Sequence, residues 1–332
     1  MATLTGVSYA DLQSRLGPDD KVTTIIELLK QTNRILDDMI IVEGNLPTGH
    51  VTTVRAGLPS VTWRLLNYGV QPSKSVTSKI TDTCGMLEAY AEVDKALADL
   101  NNNTAAWRLS EDRPFLEAMN QSMAATLAYG SILTYPERFT GVNPRYASTG
   151  TVSTVSTYNT VSAYSSASGA DQTSMHLIVW GENTVHGIYP KGSVAGFQHQ
   201  DLGEVTLLDD QTPAGRFQGY RSHYKWDCGF TVRDWRYVVR ICNIDTSAIT
   251  ASGTVDLFAA MIDAYMRIPD INMGKAGFYG NSTVLSWLWK QARANTNTML
   301  NVTNPEGKPV LSFLDVPIKR NDQLLNTESV VA

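Results

Sequence analysis

The 332 residues are 43% hydrophobic and 18% charged, ordinary globular proportions with enough length for one large domain or two intimately packed ones. The net charge of −5 is spread along the chain without a basic stripe, which argues against a dedicated nucleic-acid binder. The start, Met1 to Gly6, shows no basic region leading into an apolar run, and no apolar stretch approaches the ~18 residues of a membrane span, so neither a secretory signal nor a membrane segment is expected.

Asp19 or Asp20 is placed to cap a helix over 19–38, in which Val22, Ile25, Ile26, Leu29 and Leu36 recur at helical spacing. Its apolar face suits either its own core or a neighbouring copy. Residues 41–82 change character: Thr, Ser and Val dominate, punctuated by Gly44, Pro47, Gly49, Gly57, Pro59, Gly69 and Pro72. The runs 51–54 and 61–65 alternate like strands with one apolar face, which predicts a long two-stranded arm. Such a ribbon is marginal alone in water, so it is expected to lie against its own domain or another chain.

Met86, Tyr90, Val93, Leu97 and Leu100 step by 4, 3, 4 and 3, which predicts a helix with one narrow apolar seam, ended by Asn101 to Asn103. A second helix is expected after Ser110, Glu111 and Asp112. Pro114 falls in its first turn, Phe115, Met119, Met123 and Leu127 form its buried stripe, and Gly130 stops it. The Ser/Thr-rich stretch 147–170 reads as a loop or an exposed strand pair. Residues 175–245 look β-rich, with strands at 175–180, 204–208 and 216–225 and the strongest run at 229–241. A helix over 255–268, ended by Pro269, precedes a short strand at 277–279 and a helix capped by Asn281 or Ser282. A turn at 304–307 and a strand at 310–314 close the chain.

Local chemical signatures are missing. Cys84, Cys228 and Cys242 are an odd, scattered set that reads as buried free thiols in a reducing cytoplasm. His50, His176, His186, His199 and His223 have no metal-ligand spacing. Gly274, Gly277 and Gly280 lack the lysine of a phosphate loop, and no nucleophile elbow exists. Asp37 with Asp38, and Asp209 with Asp210, read as helix-end and turn residues. The sequons at Asn120, Asn281 and Asn301 carry no weight without a secretory route. Seven Trp and fourteen Tyr suit a carbohydrate-binding surface or an extensive subunit interface. No catalytic, cofactor-binding or metal-binding residue is nominated, and an enzyme is not expected.

The order of segments resembles the tailed-phage major capsid proteins of the Hong Kong 97 type: an N-terminal arm and helix, a long Gly/Pro-punctuated hairpin, a long helix, then a mixed body. Three runs resemble the capsid proteins of short-tailed phages. These are GLPSVTWRLLNYGV at 57–70, the segment around Glu92-Val93-Asp94, and FLEAMNQSMAATLAYGSILTYPERFTGVNPRY at 115–146.

The resemblance implies an α+β fold with N-terminal arm and helix (1–40), extended β-hairpin loop (41–82), a spine-helix region of a peripheral domain (83–146) and remaining peripheral and axial segments (147–332). It also implies self-assembly through hexamers and pentamers into an icosahedral shell around a double-stranded DNA genome, formed in the bacterial host cytoplasm. Portal, scaffolding and decoration proteins are the implied partners, DNA is met only as a non-specific wall contact, and no cofactor is implied. Another virion or adhesin-type binding protein is the alternative.

Two departures from that family stand out. The strand-rich 204–245 segment precedes the strand–helix unit at 276–294 rather than following it, so rearranged connectivity is expected. Lys74 and Lys79 lie in or near the arm, but no partner asparagine or assisting acid is marked, so no intersubunit cross-link is expected. Boiled particles should therefore run as monomer bands on a denaturing gel, and high-mass ladders would refute this.

Overall fold

The computed structural model describes residues 31–100, 104–149, 159–164, 169–208, 215–251, 255–293, 300–303 and 309–331. Residues 19–30 of the helix expected over 19–38, much of the Ser/Thr-rich stretch and the turn at 304–307 lie outside the described residues, and within 31–38 only Arg34–Asp38 is helical.

One strand of 19 residues, β3 (Val76–Asp94), organises the rest. Its first half pairs antiparallel with β2 (Gly49–Gly57), from Gly57↔Val76 to Gly49↔Thr83, and forms the arm. Its second half pairs with β8 (Arg216–Val232), from Cys84↔Gly229 to Asp94↔Gly219, inside the body. The expected two-stranded arm is therefore present, and it continues a body strand. The run 61–65, expected as a strand, is instead part of the irregular loop joining β2 to β3.

The seam read as a helix over 86–100 is this same strand, with only Lys95–Ala98 helical. Leu87, Ala89, Ala91 and Val93 point inward at a period of two, and Met86, Glu88, Tyr90 and Glu92 point out. The alanines are too small to announce a buried face, and Met86 and Tyr90 on the outer face produce the false 4-3 spacing. Cross-strand partners satisfy that outer face. Arg221 pairs with Glu92 at 2.6 Å, Lys225 with Glu88 at 3.8 Å, and His223 stacks on Tyr90 at 4.5 Å between ring centroids.

Behind β3 lies the long helix α1 (Thr104–Tyr129), with Met119, Met123 and Leu127 buried and Gly130 at its end, as expected. It begins earlier than expected, which leaves Pro114 in its interior. The reason is Trp107, 1% exposed, which packs on Val93, Leu97 and Ala98. Burying an indole stabilises by roughly 4–6 kcal/mol on area grounds, enough to offset the ~3 kcal/mol that an interior proline costs.

The described strands form one hydrogen-bonded network in the order β11-β12-β13-β10-β5-β6-β8-β3-β2. In it β5 is Gln172–Trp180, β6 is Val185–Tyr189, β10 is Lys275–Gly280, β11 is Leu300–Thr303, β12 is Val310–Phe313 and β13 is Val316–Arg320. On the flanks β7 (Phe197–Leu208) lies beside β8, and β9 (Val238–Asp245) beside β5.

The run 229–241, expected as one strand, divides between β8 and β9. Asp234 accepts hydrogen bonds from the Arg236 backbone and guanidinium and turns the chain through a short 3-10 segment, Trp235–Tyr237. β5 and β9 are buried along their whole lengths, covered by α2 (Leu257–Arg267) among others. A third helix, α3 (Ser282–Arg293), starts where Asn281 Oδ1 accepts the Val284 N–H at 3.0 Å.

Two buried carboxylates tie distant parts to this core. Glu328 accepts from Tyr129 and Ser174, each at 2.5 Å, and pairs with Arg240 at 2.9 Å. Asp38 meets Lys275 at 2.6 Å, Lys319 at 2.5 Å and the Tyr279 hydroxyl at 2.6 Å. Burial opposes its ionisation, but the two ammonium groups and the phenol prevail and hold its carboxyl below the ordinary range.

The strand assignment sets a test. Val93→Asp should cost the assembly-free subunit more than about 2 kcal/mol, whereas Met86→Gln should stay within about 0.5 kcal/mol, measured by urea unfolding. A helix on the 4-3 seam would make both substitutions costly.

Candidate assembly surfaces

The arm leaves the body through a buried polar lock. Asp82, 4% exposed, receives Arg145 Nη2 on Oδ1 at 2.7 Å and the Thr231 hydroxyl on Oδ2 at 2.6 Å. Arg145 also donates to the carbonyls of Thr140 and Phe230, and its guanidinium lies 5.6 Å from the Phe230 ring centroid. Gly49 lies at the same point because a Cβ there would stand 2.0 Å from the Asp82 carbonyl oxygen. His50 opposes Asp82 across the next rung, with Arg233 Nη2 3.4 Å from its Nε2 and the His186 ring edge-on at 6.0 Å. Burial first, then Arg233, holds His50 below its ordinary value.

At the far end, the loop between β2 and β3 is closed by the Ser73 hydroxyl donating to the Ser60 carbonyl at 2.7 Å. Asn67 supplies the left-handed residue (φ 71°) of a turn in which the Tyr68 N–H donates to the Leu65 carbonyl. Val61 is 92% and Trp63 101% exposed, with Leu58, Leu65, Leu66 and Tyr68 mostly exposed beside them. Burying such side chains is worth about 1.5–3 kcal/mol each.

The family model for Major capsid protein GP7 matches residues 17–332. The chain belongs to this major capsid protein family. A chain of the bacteriophage Epsilon15 structure is 39% identical, with a TM-score of 0.78, and the match covers 100% of this chain and 99% of that one. The capsid of a native GTA particle (10% identity, TM-score 0.47, 72% and 99% covered) and the bacteriophage JBD30 capsid (8%, 0.47, 89% and 92%) are looser likenesses. No curated protein matches. The mixed α+β fold and the capsid-forming role expected from the resemblance are thus those of the family.

Sequence reasoning did not single out Asp82, Arg145 or Thr231, the residues that fasten the arm to the body. Arg145 and Thr231 lie 63 and 149 positions after Asp82, on a short helix (Val142–Arg145) and on β8, and only the tertiary fold brings the three together. The histidines are dispersed among structural roles. His176 contacts Asn143 Oδ1 at 2.7 Å, His199 stacks on Tyr224 and His223 on Tyr90. Among the described residues no three His, Cys, Asp or Glu side chains gather as a metal site. The three cysteines are free, and burial first raises their thiols, to about 11 for Cys84 and Cys242 and about 12 for Cys228.

Two measurements probe this arrangement. Arg145→Met strands the Asp82 carboxylate and should cost roughly 3 kcal/mol, most of it recovered when Asp82→Asn is added. Burial, Arg233 and His50 hold His186 at about 4, and burial and Arg240 hold His176 at about 3, against an ordinary 6.5. Both imidazoles are neutral in the fold, and the unfolded chain protonates first as pH falls below 6.5. Each therefore withdraws stability from there down to its folded value. The urea midpoint should drop between pH 6.5 and pH 4, less steeply in His186→Asn; an equal slope in that variant would contradict the assignment.

Proposed function

We propose that copies of this capsid protein build an icosahedral shell around double-stranded DNA by laying the arm of each copy over a neighbour. The observation that carries this reading is the tip at 58–68, which presents large apolar side chains to solvent at the end of a stiff ladder. A ribbon that is marginal alone gains its stability by burying that face on another copy. Residues 1–40 act as the N-terminal arm and helix and 41–82 as the extended loop. Residues 83–146, including α1, form the spine region, and 147–332 make up the remaining peripheral and axial segments. Copies gather as hexamers and pentamers, with curvature varied by small hinge changes between them.

Portal, scaffolding and decoration proteins are the further partners, and assembly takes place in the bacterial host cytoplasm, where three unpaired thiols persist. With a net charge of −5 the subunit meets packaged DNA only as a non-specific wall. The role is structural, and no reaction is assigned to it.

Deleting residues 45–78 should leave a soluble subunit that cannot close shells, as read by size exclusion and negative-stain microscopy. Normal particles from that deletion would overturn the reading.

A further inference from the structure

The arm tip has a counterpart on the body. Just past the arm root, Gly85 and Met86 of β3, Ser122 and Met123 of α1, and Glu137 and Arg138 enclose a groove of about 190 Å³. This is below the ~300 Å³ at which small-molecule sites begin and suits one large side chain. Met123 is buried, and Met86 on the rim is 70% exposed and presents a polarizable thioether. Arg138 already lies over one aromatic ring, 4.6 Å from the centroid of Tyr135. Glu137 is mostly exposed, and its contact with Arg138 is a long 3.9 Å.

We propose that this groove receives Trp63 from the arm of a second copy, with Arg64 meeting Glu137 at the rim. The inference rests on the reading of the arm as an intersubunit clamp and gives that clamp its anchor. Trp63 is the most exposed large apolar side chain at the tip, and a buried tryptophan ringed by lesser apolar contacts is the usual anchor of an interface.

Its own groove is out of reach. The ladder from Gly49 to Gly57 spans about 25–30 Å at ~3.3 Å per residue, and the groove lies beyond its root. Trp63 is six residues past Gly57, so a fully extended return covers at most about 20 Å. Every copy carries one tip and one groove. Identical subunits therefore satisfy all of them through a head-to-tail contact that closes into rings, which no singly placed partner would do.

The decisive experiment is disulfide capture in assembled particles. Trp63→Cys with Met86→Cys in one chain should give a ladder of subunit multiples on a non-reducing gel. That ladder should be absent from each single variant and from Trp63→Cys paired with Met266→Cys, an exposed position on α2. Particles without the ladder, or with equal laddering in the control pair, overturn the anchor.

Should the cysteine pair not form particles, charge exchange decides. Arg64→Glu and Glu137→Arg should each lower particle yield by about tenfold, since ~1.4 kcal/mol per contact suffices, and the two together should restore it. Failure of the double variant to recover also overturns it. Loss of shells on deleting 45–78, with neither linkage nor rescue, would leave the clamp standing and remove only this anchor.

Discussion

The fold depends on one strand having two sets of partners. β3 is held by β8 over its second half and holds β2 over its first, so the arm inherits its direction from the body sheet. A hairpin joined by a flexible hinge would sweep a large volume and lose entropy on every contact it made. A hairpin that continues a body ladder is already ordered, so any contact made by its exposed tip would carry little further entropic cost. The lock at Asp82, Arg145 and Thr231 lies at the transition, where β3 exchanges one partner for the other.

The body achieves its rigidity by different means. β5 and β9 are covered on both faces, and polar groups from both strands meet at one buried carboxylate. Ser174 of β5 and Arg240 of β9 share the Glu328 carboxylate, and Arg240 also donates to the Tyr146 carbonyl at 2.9 Å. Asp38 does the same for the strands β10 and β13 through Lys275 and Lys319. The Glu328 and Asp38 carboxylates are themselves too well buried to lose their partners without leaving an uncompensated charge, so each fixes its segment to the body.

Much of this was legible in the sequence, and the misreadings have physical causes. Gly/Pro punctuation and Thr/Val alternation announced the arm, and the spacing of Met119, Met123 and Leu127 announced the long helix. β3 was misread as a helix because its inward residues include two alanines while its outward face carries Met86 and Tyr90. The residues that make that face tolerable, Arg221, His223 and Lys225, come more than a hundred positions later. The run 61–65 alternates as a strand would, yet has no partner strand among the described residues. Its apolar residues stand exposed to solvent, which a rule that equates alternation with a half-buried strand assigns wrongly.

The Glu328 contact also bears on the birth of the subunit. Arg240, Ser174 and Tyr129 are placed around a carboxylate that the ribosome adds 88 to 199 residues after them. Until that carboxylate arrives, the guanidinium at the centre of the body has no counter-charge and cannot be buried at low cost. The core therefore reaches its final packing only after residue 328 has been synthesised. Chains released before that residue would keep a loosened centre, with the Arg240 guanidinium short of its counter-charge.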